Sequence, residues 1–435
     1  MIGNPMCDFL EKSDAWGESQ YAFRKGRSSK DVLALITTQW VLALVQQLKV
    51  AIYCGDIAGA FDRVRTLILI AKCGKKGISD EALNFLKSYL KPRKAVVVVG
   101  GEKSEPLTLE NTVYQGSVLG PPLWNTHFAD IAKVVQTSSF NEVVYADDLN
   151  AFKTFPNSIA NEDILEELKA CATECHKWGG LNQVEFEPSK EHFIILDKKN
   201  PYGKSFKLLG AVYDTKLNMD ETVHKIAVNV GWKLKMLFRM RSYFTVQKFV
   251  NLYKAQIWSS VEWATPAIFH ATRTTLENID KVQTQFIRFV GLSEVEALIH
   301  FKVAPLMLRR KIAILGLLHR CALKEAPKQL CKLFPRIEVK TMTHNTRHSA
   351  KAGDIRLLDR TDGTTSNLLK RSILGMVPFY NRLPNTVKHS KLVSTFQGKI
   401  QDATIELCKK GMEMEDVNSM KWLQFPQLKY QPVFK

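Results

Sequence analysis

The sequence predicts an α+β fold with antiparallel pairing in its first half and a helical second half, and three observations lead there. Up to about residue 214, short runs of β-forming apolar residues alternate with helical stretches. Within Glu142–Phe155, two such runs flank an acidic tight turn. Beyond about Thr215, apolar residues recur at helical spacing among interleaved Lys and Arg. The elements then read in order. Val32–Leu48 is the most apolar helix candidate, but Thr37, Thr38, Gln39, Gln46 and Gln47 interrupt it. That is too polar for a bilayer span of about 20 apolar residues, so no membrane segment is expected. Lys49–Asp56 (KVAIYCGD) reads as a buried strand, followed by a helical stretch to about Lys72. Ser79 suits the N-cap of a helix over Asp80–Leu90 that stops before Pro92. Ala95–Val99 and Leu107–Tyr114 read as a hairpin-like pair across Gly100 and Gly101, and Gly120-Pro121-Pro122 breaks the chain before another helix. Asp163–Trp178 has helical periodicity, while Val184–Phe186, Phe193–Leu196 and Phe206–Val212 read as strands. Glu221 to Ile287 and Pro305–Leu323 are helical and basic. Pro335 and the polar stretch 340–351 suggest a linker before a last segment, Leu368–Lys410, whose packing partner the pattern does not identify.

At 435 residues the chain can bury two or three cores without disulfide or metal staples. Its eight cysteines are scattered, and no basic flank leads into an apolar secretory segment, so a reducing intracellular setting is expected. No repeat or long low-complexity tract is visible, so solenoid and disordered-tail classes lose most of their support. The net charge of +18 is unevenly placed: residues 1–220 carry 26 basic and 27 acidic side chains, residues 221–435 carry 35 and 16. A basic surplus confined to one half suits a surface that follows a phosphate backbone, although basic residues also serve plain solubility.

Three islands carry chemistry: Asp56 at a strand end in DIAGAFD, the loop QGSVLGPP at 115–122, and YADD at 145–148 on a hairpin. Phosphoryl transfer by two metal ions needs carboxylates from separate backbone elements to converge on cations roughly 3.5–4 Å apart. A strand-end Asp and a hairpin-tip Asp pair supply that arrangement if their strands are neighbours, and Mg²⁺ suits it because it prefers oxygen ligands. Each island alone is ambiguous, since an acidic hairpin tip is commonly a plain turn.

Together the islands resemble the reverse transcriptase of non-LTR (LINE-like) retrotransposons over roughly residues 20–215. AFRKGRSSKDVL (22–33) is similar to the segment ahead of that family's first catalytic strand, DIAGAFDRV (56–64) to its first catalytic motif, and QGSVLGPPLWN (115–125) to its nucleotide- and template-contacting loop. YADDL (145–149) resembles its metal-binding signature, LNQVEFEPSKEHFIIL (181–196) the motif whose lysine follows the palm, and FKLLGAVYD (206–214) the primer-gripping hairpin. HNTRHS (344–349) resembles a recurrent element of the C-terminal region of some LINE-like proteins, to which no role attaches.

The resemblance implies a right-hand polymerase fold: a residual fingers segment at 1–48, a palm at 49–214, a helical basic thumb-like region at 215–335 and an extension at 336–435. It implies RNA-templated transfer of deoxynucleotides to a DNA primer's 3′-hydroxyl, with two Mg²⁺ or Mn²⁺ ions. Asp56 and Asp147 would be principal ligands, Asp148 the third carboxylate, and the Ile57 carbonyl part of one shell. Phe61 would screen out a ribose 2′-hydroxyl, or else be a core aromatic. Gln115 and Gly116 would approach nucleotide and template, Tyr145 would flank the primer end, and Leu209 and Gly210 would grip the primer. Lys190 would protonate the pyrophosphate, with a solvated turn lysine as the alternative. Arg24 and Arg27 would touch phosphates, or be exposed helix-approach arginines without that role.

Only about twenty residues precede the AFRKGRSS segment, so most of the family's fingers is expected to be missing, as is the upstream endonuclease of many such elements. The competing reading is therefore a nucleic-acid-binding remnant of such an enzyme that polymerises poorly or not at all. A zinc site from Cys321, Cys331, His344 and His348 has a first gap of nine residues where two to four are usual, so a buried cysteine pair is favoured. Trp232, Trp258 and Trp263 would stack bases or, for most of them, pack in helix cores.

Overall fold

A computed structural model describes residues 3–110, 113–337 and 354–424. They fall into two compact units: residues 1–32 with 47–204, and residues 33–46 with 205–435. The division differs from the expected one in two respects. The hairpin after residue 204 groups with the helical half, and so does most of the apolar helix near the N-terminus.

The first unit is built on a four-stranded antiparallel sheet. Its strands are β1 (Leu48–Gly55), β2 (Asn141–Tyr145), β3 (Asp148–Pro156) and β4 (His192–Leu196), in the order β2-β3-β1-β4. β1 is central, and every residue from Lys49 to Gly55 is buried, which explains why its sequence is a near-continuous apolar run rather than an alternation. The one charge in that run, Lys49, donates to the Ile159 carbonyl at 2.7 Å and to Asn161 Oδ1 at 2.9 Å. One face of the sheet packs on the helix Asn161–Asn182 and its neighbours, where Trp124 stacks on Phe128 and Phe128 meets Trp178 edge-on in the core.

Ser79 caps its helix as expected, its hydroxyl accepting from the Ala82 amide at 3.4 Å. The stretch after Asp56 is less helical than expected, a short 3-10 turn over Ala60–Arg63 and then a helix over Thr66–Lys75. The expected hairpin across Gly100 and Gly101 breaks into two short ladders, Arg93–Ala95 with Leu107–Leu109 and Val98–Val99 with Glu102–Lys103. Val184–Phe186 is not a strand: it makes a single bridge, Phe186 with Ile57, because the chain must turn at Pro188 before reaching β4.

In the second unit, β5 (Phe206–Leu208) and β6 (Ala211–Tyr213) form a tight hairpin. Trp40 meets the ring of Tyr213 edge-on at 5.3 Å and Thr37 shares a 2.9 Å hydrogen bond with its hydroxyl. These contacts are why helical residues 33–46 belong here. The helix Asp220–Arg239 packs on Arg273–Val290. The last segment finds its partner too, as Val393–Lys409 packs on Leu306–Ala322 with Phe396 stacked on His319 at 4.0 Å. Residues 340–351, with His344, His348 and the HNTRHS segment, lie outside the described residues. No described helix is long and apolar enough to cross a membrane.

Candidate active site

The site begins with a turn whose backbone is held from outside. β2 and β3 end on the pair Tyr145↔Asp148, so Ala146 and Asp147 form a two-residue loop. Ala146 has φ of 58°, a left-handed conformation that costs a residue with a Cβ about 1–2 kcal/mol. Two buried side chains hold it there. Gln20 accepts from the Ala146 amide at 3.0 Å and donates to its carbonyl at 3.1 Å, and the Trp124 indole donates to the same carbonyl at 3.0 Å. Gln20 is itself fixed by backbone bonds that run beside β2, Tyr21 to Val144 and Val144 to Ser19, each at 2.9 Å. The turn's one strained residue is thus braced on both sides.

Asp56 follows β1. The ladder between β1 and β3 ends at Gly55↔Leu149, so Asp56 and Asp148 each lie one residue beyond it, at the same end of neighbouring strands. The Asp56 carbonyl accepts from the Glu187 amide at 2.9 Å and the Ala58 amide donates to Glu185 at 3.0 Å. Neither bond uses the Ile57 carbonyl. These contacts bring the turn Pro188–Lys190 to the strand end, and Lys190 Nζ donates to Asp56 Oδ2 at 2.7 Å.

The electrostatics agree with this convergence. Burial, and then the negative charge of Asp56, push the Asp147 carboxyl above the ordinary aspartate range, while Lys190 and the residue's own amide oppose the rise. The hydrogen bond and charge of Asp56 push the Lys190 ammonium up. Burial, with a contribution from Asp148, pushes the adjacent Cys54 thiol up to about 12.

A second group of expected residues sits beside the first. The Val113 amide donates to the Phe61 carbonyl at 2.9 Å, Gln115 Nε2 donates to Asp62 at 3.2 Å, and Gly116 takes φ of 81° with open space where a Cβ would be. The half-buried Phe61 ring lies 5.5 Å from that of Trp124, the residue that braces Ala146. It therefore packs on the core while remaining next to the turn.

Arg24 and Arg27 are not brought to the carboxylates by any contact of theirs. Arg24 is buried, holds Glu11 with Nε and Nη2 at 2.8 and 2.7 Å, and donates to the Gly17 and Gln20 carbonyls. Arg27 donates to the Glu18 carbonyl at 2.6 Å and lies over the Tyr21 ring. Through these contacts they tie down the segment that carries Gln20. Leu209 and Gly210 form the β5–β6 turn of the second unit, both with positive φ (47° and 88°), and a Cβ on Gly210 would stand 3.1 Å from the Trp263 ring. Of the three tryptophans, Trp258 is buried and Trp263 half-buried, as the packing role expected of most of them requires, whereas Trp232 is 64% exposed.

Gln20 and Trp124 were not singled out by the sequence. Their only signal is polarity: an amide and an indole in apolar surroundings need a partner when buried.

The donor set fits divalent cations by its chemistry, as three carboxylates and a backbone carbonyl are hard oxygen ligands at one sheet end. As they stand, no three His, Cys, Asp or Glu side chains among the described residues are gathered closely enough to hold an ion. Asp56 is instead neutralised by Lys190.

Comparison with known proteins gives this arrangement its family. Residues 4–213 match the family described as "Reverse transcriptase (RNA-dependent DNA polymerase)". That segment is a reverse transcriptase domain. It takes in Asp56, Asp147, Asp148 and Lys190, and also Leu209 and Gly210 beyond the division between the units. The chain is 29% identical over 226 residues to a probable RNA-directed DNA polymerase from transposon BS of Drosophila melanogaster, covering 49% of this chain and 24% of that protein. It is 25% identical over 311 residues to the RNA-directed DNA polymerase from mobile element jockey of Drosophila funebris, covering 67% of this chain and 34% of that one. Both relatives are named as polymerases of Drosophila transposable elements, in line with the resemblance read from the motifs. The chain spans about a quarter to a third of the length of the curated relatives it matches. A solved telomerase from Candida tropicalis, in complex with a fragment of telomeric RNA, aligns at a TM-score of 0.40 and 14% identity, over 76% of this chain and 55% of that one. So low a TM-score carries no inference about this chain.

Proposed function

We propose that this chain is the catalytic portion of an RNA-directed DNA polymerase that extends a DNA primer with deoxynucleoside triphosphates along an RNA template. The observation that carries the reading is the convergence of Asp56 and the Asp147–Asp148 turn at one end of adjacent strands, with Lys190 on Asp56. Asp56, Asp147, Asp148 and the Ile57 carbonyl would hold two Mg²⁺ or Mn²⁺ ions, which supply Lewis-acid activation of the primer hydroxyl and charge stabilisation of the leaving pyrophosphate. The chain's own residues do the positioning. Gln20 and Trp124 fix the turn that presents Asp147, and Gln115 and Gly116 offer a side-chain amide and an unobstructed backbone to the incoming nucleotide. Phe61 limits space at the sugar. Lys190, protonated well above neutral pH, can release Asp56 to a cation and then serve as proton donor to the leaving group. Leu209 and Gly210, a rigid turn on Trp263, would contact the primer, Tyr145 would flank its end, and the basic second unit would bind the template–primer backbone.

The test is primer extension on an RNA template with Mg²⁺ or Mn²⁺. Wild-type product that falls by at least about a hundredfold in Asp147→Asn, with duplex binding kept, supports the reading. No wild-type product with either ion, while duplex binding persists, overturns it in favour of the binding remnant.

A further inference from the structure

The second unit holds a cavity of about 480 Å³ that no part of the polymerase reading uses. That volume lies within the range of small-molecule sites, roughly 300–1,000 Å³. Ile287, Leu306, Met307, Met376 and Phe379 supply an apolar wall. Its charges are unevenly answered. Arg310 is fully engaged, donating twice to Asp280 at 2.7 and 2.8 Å, and Arg273 pairs with Glu277 at 3.1 Å. Lys311, Lys370 and Arg371 also line the cavity, and none of them has an acidic partner among the described residues. Lys311 finds only the Asn418 carbonyl, at 2.9 Å. The Nε of Arg371 is buried with no acceptor, and the side-chain oxygen of Asn418 is buried with no donor.

A guanidinium nitrogen with no acceptor and an ammonium with no counter-charge beside a partly apolar cavity are costly unless something completes them. Burial, helped by Arg310 and then Arg273, lowers the Lys311 ammonium to about 8, the mark of a cation short of counter-charge. The acids that remain limit the ligand's charge. Glu294 lines the same cavity and would repel a polyanion such as a nucleotide, so one negative charge on an apolar body suits the lining best.

We propose that this cavity binds a small apolar monocarboxylate, its carboxylate held by Lys311 and Arg371 and its hydrocarbon body lying against Met307, Met376 and Phe379.

The experiment titrates the full chain with decanoate and, separately, with decanol, which has the same chain length and no charge. Calorimetry measures affinity and methyl NMR of the methionines reports place. Decanoate should bind more tightly than decanol and shift the methyls of Met307 and Met376. Lys311→Met and Arg371→Met should each weaken decanoate about tenfold, as expected for loss of one charge-assisted contact, and leave decanol unchanged. Unchanged melting and dispersion of the other methyl signals would show that the variants are folded. Three results would overturn the proposal: no decanoate binding, equal decanoate affinity in wild type and both variants, or shifts confined to surface methionines such as Met236 and Met240.

Discussion

Three hydrogen bonds run from the Gln20 amide to its surroundings: two to Ala146 and one from the Ala22 amide at 3.0 Å. Gln20→Ala removes all three and leaves the buried Ala22 amide and the half-buried Ala146 amide unanswered, so it should destabilise the chain by about 2–4 kcal/mol in denaturant titration. Because the turn it braces presents Asp147, extension should fall further than the unfolded fraction explains. Asp147 itself gives a prediction with a definite sign. Its folded pKa is raised, so the folded state holds the proton to higher pH than the unfolded chain does. Stability from this group is therefore greatest below the unfolded aspartate pKa, declines as pH rises from there through the raised folded pKa, and is flat above. Asp147→Asn should remove that decline. Measured against pH, the variant should be more stable than wild type at neutral pH, and the gain should vanish in acid, while extension is lost. At this scale the sequence was informative about groups and silent about partners. The aspartates stood out because their motifs are ordered along the chain, and Lys190 because it follows them. That Arg24 would be taken by Glu11, thirteen residues away across a turn, was not legible, because an arginine before a helix looks the same whether it meets phosphate or carboxylate.

At the scale of elements, the helix Asp220–Arg239 continues into a surface that apolar burial does not explain. Val228, Trp232, Met236 and Met240 recur every four residues and are exposed, with Lys235 Nζ 5.6 Å from the Trp232 ring. Four-residue spacing lines them on one face, opposite the buried Val230, Leu234 and Leu237. Trp232→Ala should change unfolding free energy by less than about 0.5 kcal/mol, since little packing is lost. Under the proposed function it should nonetheless weaken RNA–DNA duplex binding by about tenfold in a filter or anisotropy assay, the scale of one stacking contact. Strands β1, β2, β3 and β4 were legible because β-branched and aromatic runs bounded by turn residues leave few other readings. From its residue pattern Phe206–Val212 was legible only as extended, and its hairpin came from the family resemblance, because its turn, Leu209-Gly210, puts a leucine at positive φ where Asn or Asp is the usual signal. The helical half was legible as helices and not as pairs: which helix covers Val393–Lys409 depends on shape complementarity that periodicity does not encode.

Across the whole molecule, the surplus of basic residues after residue 220 should govern how nucleic acid binding responds to salt. The logarithm of duplex affinity should fall linearly with the logarithm of salt concentration, and Lys235→Gln should reduce that slope by about one if its charge meets a phosphate. Asp62→Asn, which adds no positive charge and lies in the acidic-balanced half, serves as the comparison for a local effect. The boundary between halves was the least legible feature of the fold. Composition changes near residue 215, yet the compact units part at 204 and exchange a helix segment, since Trp40 and Thr37 complete the core around Tyr213.

That exchange has a practical outcome for anyone dividing the protein. The polypeptide passes from one unit to the other after residues 32, 46 and 204, so neither unit is a single stretch of chain. A fragment ending at residue 204 would display Trp40 and its apolar neighbours to water and should aggregate or bind a hydrophobic dye. Supplying residues 205–435 in trans should quench the dye signal and restore solubility, split-protein complementation seeded by one borrowed helix. Two fragments that are each soluble and indifferent to one another would contradict it.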